Sequence, residues 1–295
     1  MDNETAKNIR ESLTADCTKC FGLCCTALNI VASSDFPINK PAGAPCVNLQ
    51  SDYGCQIHSN LREKGFKGCT VFDCLGSGQV VSQITFKGQS WRDNPEIREK
   101  MFRVFPIMEQ IHEMIAYTAE ALSYDIPYAL SDKLSVQLKE LQNLTKLDAE
   151  ELLSLDLVVY RFPLNKLLSE TSEYIRESLI SKLPDTKNAK NYNYERADWI
   201  GKKLRGKDLR ALDLRGAYLI AADMRNADLR GVDFIGADLR DADLRGADLS
   251  TSMFLTQMQI NSAKGDVKTT FPSHIQRPSH WINEFCSVCV LKETF

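Results

Sequence analysis

The chain has 295 residues, 43% of them hydrophobic and 25% charged, with 36 Lys and Arg against 39 Asp and Glu for a net charge of −3. Such a composition is globular, the near-neutral balance argues against a general nucleic-acid binder, and no apolar run reaches the roughly 18 residues of a membrane span. The polar start MDNETAKNIRESLTADC offers no apolar stretch for a signal peptide, which places the chain in the cytoplasm.

Ten cysteines are present, eight of them between residues 17 and 74. A reducing cytoplasm makes a cluster of that density read as metal ligation rather than as disulfides. The spacing is Cys17-x2-Cys20-x3-Cys24-Cys25, then Cys46, then Cys55-x2-His58, then Cys69-x4-Cys74. A Cys-x2-Cys loop brings two thiolates to one ion without strain, and the later cysteines supply the remaining corners of a tetrahedral site. Iron–sulfur clusters use the same thiolates at similar spacings. Cys24 and Cys25 are neighbours whose side chains diverge, by about 100° on a helix, so one ion does not take both easily. Either there are two metal sites, or one of the pair is a packed thiol or a redox partner. Eight cysteines match two four-thiolate sites or one cluster plus an ion, with His58 a ninth candidate. Residues 36–54 hold three Pro and two Gly and no helical periodicity, so a metal would supply much of that segment's folding energy.

The runs CTKCFGLCC, PCVNL, GCQIH and GCTVFDC engage Cys17, Cys20, Cys24, Cys25, Cys46, Cys55, Cys69 and Cys74 in order. Over roughly residues 15–80 they resemble a family of zinc- or iron-chelating Cys-rich domains. That family includes the N-terminal part of flagellin lysine N-methylases. The resemblance implies that these eight residues bind zinc or an iron–sulfur cluster, and it implies no particular reaction.

From Trp91 the period becomes helical. Asp93 or Asn94 can cap, Pro95 suits the first turn and Glu96 favours the positive helix end. Met101, Phe102, Phe105, Met108, Ile111, Ile115, Ala119 and Leu122 form an i, i+3/i+4 stripe, which Pro106 should kink or divide. Further helical patterns run over residues 131–147, 148–160 and 164–183. Glu109, His112 and Glu113 place two carboxylates and an imidazole within one turn. A Glu-x-x-His pair is half of a di-iron carboxylate site, but no second copy exists, and a polar helix face is the favoured reading. His112 could also support the Cys-rich segment from outside its ligand set.

From Leu204 to Phe254 a large apolar residue returns at every fifth position, and Ala stands two before it in most units. On an α-helix this step would spiral the leucines around every face, and on a flat strand it would put every other one in water. The chain must therefore turn once per five residues and stack on itself, with Gly206, Gly216, Gly231, Gly236 and Gly246 at corners. The unit A-(D/N)-L-x-x resembles the pentapeptide-repeat family, which implies a right-handed, four-sided β-helix over residues 201–256. The Asp and Arg rows point outward and should pair across coils. Some members of that family are acidic DNA mimics that bind type II topoisomerases. Residues 202–256 hold nine Asp against ten Lys and Arg, so this short, neutral solenoid departs from that pattern. A capping helix over residues 256–265 should follow, with Trp281 covering the same end. Cys286-x2-Cys289 has metal spacing but only two ligands.

The fold class is therefore multidomain α+β. A Cys-rich, metal-stabilised domain spans residues 1–90, an α-helical region 91–200, a pentapeptide β-helix 201–256, and a capping helix and tail 257–295. The leading function is a metal- or iron–sulfur-binding protein whose solenoid engages a protein partner, with no membrane and no direct nucleic-acid contact. The alternatives are a metal-dependent methyltransfer or redox enzyme, by resemblance to the methylases, and a topoisomerase-interacting module, which charge and length disfavour.

Overall fold

The structure is a computed structural model and describes residues 2–183 and 192–282. Cys286 and Cys289 lie outside the described residues. The chain divides into two compact units, Met1–Thr171 and Ser172–Phe295.

The first unit carries short helices in its Cys-rich part: α1 (Asn3–Ser12), α2 (Leu23–Thr26), α3 (Lys67–Val71) and α4 (Ser77–Val80), which runs on into a π-helical turn over Val81–Thr85. Then come α5 (Pro95–Leu122), α6 (Tyr128–Leu144), α7 (Ala149–Ser154) and α8 (Val158–Ile180), whose residues from Ser172 onward belong to the second unit. Asn94 caps α5, its Oδ1 accepting from the Glu96 N–H at 2.8 Å. The helix passes through Pro106 without being divided there. An interior proline costs about 3 kcal/mol, whereas each large apolar side chain buried returns roughly 1.5–3 kcal/mol. Met101, Val104, Phe105, Met108, Ile111 and Ile115 are all buried on α5, so packing wins. This helix is the spine of the unit and touches α1, α2, α4, α6 and α7.

Two sequence boundaries shift. The helix expected over residues 148–160 stops at Ser154, and the one expected from 164 begins at Val158. Asp148 and Glu151 form a capping box that opens α7. The Asp156 carboxylate accepts from the Val158 N–H at 3.0 Å and opens α8, which tolerates Pro163 near its start.

In the second unit the chain coils with a twenty-residue turn. Parallel bridges join Asn193 to Asp213, Lys203 to Asp223, Asp213 to Asp233 and Asp233 to Met253, with others between. Every bridge is isolated, and among the described residues no paired run is long enough to be a strand. The expected β-helix is thus a stack of corners linked by single bridges, because a turn follows each paired residue. The coil also begins before the expected 201: Tyr194 and Trp199 continue the five-residue series backward, and Trp199 is buried in the same core as Leu204 and Leu219. The unit Ala197-Asp198-Trp199 repeats the Ala-Asp-Leu pattern with a larger centre.

The inward positions are filled as the period requires. Leu214, Leu219, Met224, Leu229, Phe234 and Leu244 are fully buried, as are Ala217, Ala222, Ala242 and Ala247. From Tyr194 to Leu244 the backbone two residues after each large one is left-handed, at Gly206 (φ 64°) and Gly216 (φ 61°), but also at Ala211 (φ 58°) and Ala221 (φ 55°). The aspartates earn their place at these corners: Asp223, Asp228 and Asp238 each accept the backbone N–H two residues on, at 3.1–3.3 Å. The same carboxylates hold the arginine of their own unit, Arg225 on Asp223 and Arg230 on Asp228 at 2.6 Å. The pairing expected across coils exists but is longer, 3.6 Å from Arg225 to Asp243 and 3.5 Å from Arg230 to Asp248.

One of the four faces departs from the pattern. There Leu212 and Val232 replace the usual Ala, and the end of α8 lies against it. Arg176 Nη2 meets Asp213 Oδ2 at 3.1 Å, and a Cβ on Gly231 would come within 2.2 Å of Leu179 Cδ1. The far end is closed by α9 (Gln257–Ser262), with a Thr256–Gln259 capping box, and by Trp281. Trp281 is buried and its Nε1–H donates to the Ala263 carbonyl at 3.1 Å.

Candidate metal centre

The Cys-rich segment is tied together by backbone and amide bonds rather than by a large core. Asp16 caps a tight turn over Cys17–Lys19. Gln79 spans from this turn to α4, accepting from the Asp16 N–H at 2.8 Å and donating to the Thr14 carbonyl at 2.9 Å. The Phe21 N–H donates to Ser82 Oγ at 3.1 Å, and Trp91 Nε1–H donates to the Phe21 carbonyl at 2.8 Å. Gly22 then turns left-handed (φ 67°) to start α2, where a Cβ would strike Leu49 at 2.7 Å. Helix α2 carries Cys24 and Cys25. Cys46 is held beside it, its N–H donating to the Cys25 carbonyl at 2.9 Å, and Cys55 bridges to Leu49. Cys69 lies on α3, and the Cys74 carbonyl accepts from the Ser77 N–H at 2.9 Å at the start of α4.

All eight predicted ligands are free thiols in this one segment, and they gather into two neighbourhoods. Cys20 and Cys74 meet at Gly78. A Cβ there would lie 2.7 Å from Cys20 Sγ, and burial raises the Cys74 thiol against the opposing pull of the Gly78 and Gly76 N–H groups. Burial pushes the Cys20 thiol up to about 11, against the N–H groups of Leu23 and Gly22, with Cys24 and Cys74 adding to the rise. Cys17 is exposed at the edge of this group and is raised by burial of its sulfur, then by Cys24 and Cys74. In the second neighbourhood, Cys25, Cys55 and Cys69 pack against the apolar cluster of Cys46, Leu61 and Phe66. Burial first, and then Cys24, Cys46 and Cys55, push the Cys69 thiol up to about 12. The two groups adjoin at the vicinal pair, where the Cys24 and Cys25 sulfurs are 3.9 Å apart.

The donor chemistry fits a thiophilic metal. Backbone N–H groups favour thiolate over thiol, while burial works against it at Cys17, Cys20, Cys55, Cys69 and Cys74, so a metal would have to displace their protons. Among the described residues no group of three or more His, Cys, Asp or Glu side chains converges on one point ready to hold an ion.

The histidines part company. His58 is exposed on a short turn. His112 is buried, and its Nδ1 lies 2.7 Å from the Leu75 carbonyl, the residue after Cys74. It thus fastens the Cys74 loop to α5, and burial lowers its pKa against that hydrogen bond. Its helix neighbour Glu109 is pushed up to about 7 by burial, then by Glu113 and Asp73. Sequence reasoning passed over Lys40, although a lysine inside a Pro- and Gly-rich run of cysteines was there to see. Its side chain is buried, and Nζ donates to the carbonyls of Leu28, Thr26 (3.2 Å), Pro41 (3.3 Å) and Ala44 (3.0 Å).

Comparison with known proteins bears on the whole chain. A family model described as pentapeptide repeats matches residues 213–250 in 8 copies. The uncharacterized protein YybG of Bacillus subtilis (strain 168) is 51% identical over 275 residues, which cover 93% of this chain and 96% of that protein. Solved pentapeptide-repeat structures are similar over a smaller part. Rfr23 of the cyanobacterium Cyanothece 51142 matches 27% of this chain and 56% of its own at 27% identity and a TM-score of 0.19. A protein of Nostoc Pcc 7120 matches 34% of this chain and 85% of its own at 27% identity and a TM-score of 0.17. One from the Arabidopsis thaliana thylakoid lumen matches 30% and 66% at 25% identity and a TM-score of 0.14.

Proposed function

The chain belongs to one family with the Bacillus subtilis YybG protein and carries pentapeptide repeats, and from that premise we propose that it is a metal- or iron–sulfur-binding protein of the cytoplasm whose solenoid serves as a scaffold for a protein partner. The observation that carries the metal reading is the gathering of eight free thiols in one segment, four of which, Cys25, Cys46, Cys55 and Cys69, meet at one apolar cluster. Bound metal would join segments that share little apolar core, and it would couple their folding to metal supply or redox state. Among the described residues no helix is long and apolar enough to cross a membrane. Five of the solenoid's carboxylates, Asp208, Asp223, Asp228, Asp238 and Asp243, are matched by arginines of the same unit, which makes its surface a charge-paired scaffold rather than an acidic rod.

The test is metal analysis. Protein purified without oxygen or added metal should contain zinc, or iron with acid-labile sulfide. The Cys20→Ser variant should lose metal and lower the melting temperature of the first unit. Wild-type protein free of zinc, iron and sulfide, or a Cys20→Ser variant with full metal content and unchanged melting, would overturn the reading.

A further inference from the structure

We infer that the carbonyls of Thr26, Leu28, Pro41 and Ala44 form a cation site that the chain fills with its own Lys40 ammonium, and that this internal cation closes the loop between Cys25 and Cys46 before any metal arrives. The closure is a property of the fold alone. Its consequence for metal rests on the reading above, in which Cys25 and Cys46 are ligands, and goes beyond it in assigning a positioning residue that binds no metal.

Lysine is almost never fully buried unless it is paired. Lys40 is 4% exposed. Its Nζ donates to the carbonyls of Leu28, Ala44 (3.0 Å), Thr26 (3.2 Å) and Pro41 (3.3 Å), and among the described residues these are its only side-chain partners. A neutral amine has too few N–H bonds for four acceptors. An ammonium has three donors and a charge that attracts all four carbonyl dipoles. Carbonyl oxygens set around a cation replace its hydration shell, the chemistry by which backbone oxygens hold potassium.

The four carbonyls come from both ends of one loop. Thr26 ends α2 directly after Cys25, and Leu28 follows it, while Pro41 and Ala44 lead into Cys46. Backbone bonds join the same two stretches. Lys40 and Ile30 exchange N–H and carbonyl at 2.8 Å in each direction. The Gly43 N–H donates to the Thr26 carbonyl at 2.9 Å, and the Cys46 N–H donates to the Cys25 carbonyl at 2.9 Å. Between the two cysteines the buried apolar side chains are Ala27 and Ile30, with Phe36 and Ile38 only partly buried. So little core leaves polar closure to set the loop, and Lys40 is the one side chain that reaches both of its ends.

The test uses reduced, metal-free protein under argon, alkylated with iodoacetamide and followed cysteine by cysteine by peptide mass spectrometry. Cys46 is buried and Cys17 exposed, so in the wild type Cys17 should react first. Lys40→Ala should speed Cys46 by about 10-fold or more, because a hydrogen bond to a charged group holds a closed state by at least that factor. Cys17 and Cys74 should keep their wild-type rates. Lys40→Met, which keeps the length and removes the charge, should act like Lys40→Ala. The alanine variant lacks the atoms of propylammonium, so that ion should slow Cys46 again and 1-propanol should not. An unchanged Cys46 in Lys40→Ala or Lys40→Met, equal acceleration of Cys46 and Cys74, or equal rescue by propanol would each overturn the assignment. Cobalt(II) titration separates this inference from the metal reading. Lys40→Ala should weaken cobalt binding by about 10- to 100-fold, the usual cost of losing a residue that orients ligands, and propylammonium should restore it. Equal affinity in wild type and variant would overturn the positioning role. A wild type that binds no cobalt, while Lys40→Ala still frees Cys46, would overturn the metal reading and support the cage.

Discussion

Gly206 and Ala221 occupy equivalent corners of the solenoid, at φ 64° and φ 55°. Both are exposed, and a Cβ on Gly206 would meet nothing within 4 Å. Any effect of exchanging glycine and alanine there is therefore a backbone effect. A residue with a Cβ pays roughly 1–2 kcal/mol in the left-handed region, while glycine loses about 0.5–1 kcal/mol more entropy on folding. Gly206→Ala should destabilise the second unit by about 1 kcal/mol or less. Ala221→Gly should stabilise it by a similar amount. Denaturant midpoints check both, and equal signs for the two variants would show that the corner conformation is not what matters.

At the scale of the element, α8 and the solenoid face it covers bury a carboxylate. Asp233 is fully buried, its Oδ1 accepts from the Ile235 N–H at 2.9 Å, and its Oδ2 lies 3.5 Å from Arg215 Nε. Burial pushes this carboxyl up to about 6, against the pull of the Ser172 hydroxyl, the Ile235 N–H and Arg215. The folded pKa lies above the ordinary value of 3.8, so the folded state holds this proton more tightly. Its contribution is fully present below pH ~4 and is lost as pH rises through about 6. The gap spans about two pH units, or about 3 kcal/mol. Asp233→Asn cannot ionise, so its stability relative to wild type should improve between pH 4 and pH 7.5. A constant difference across that range would mean that Arg215 compensates the charge completely. Asp223, Asp238, Asp243 and Asp248 shift the opposite way, and the Arg225 side chain holds the half-buried Asp223 down to about 2.

At the scale of the molecule, the two units are stabilised by different means. The solenoid owns a continuous apolar core running from Trp199 to Trp281. The Cys-rich part of the first unit has a small cluster of Cys46, Leu61 and Phe66, which makes it dependent on metal under the proposed function. Trp91 reports on the first unit, and Trp199 and Trp281 on the second. Chelation should lower the melting temperature seen by Trp91 and leave the transition of a Trp91→Phe variant unchanged. A chelator that shifts both signals equally would show that the units unfold as one.

The solenoid core was legible because a five-residue step admits only a chain that turns once per unit, and the inward series from Leu204 to Phe254 needs no information beyond the sequence. The corner glycines followed for the same local reason, and so did the Asn94 cap and the Trp281 cover. What the tertiary structure decided is what depends on distant neighbours. It carried α5 through Pro106, because apolar burial around the helix outweighs one lost hydrogen bond. It assigned the departures Leu212 and Val232 to a single face, the one that meets α8. It also gathered Cys25, Cys46, Cys55 and Cys69 at one apolar cluster and buried Lys40 among backbone carbonyls. Spacing along the chain tells which thiols are near in sequence, whereas the grouping of residues as far apart as Cys20 and Cys74 exists only once the backbone closes around Gly78.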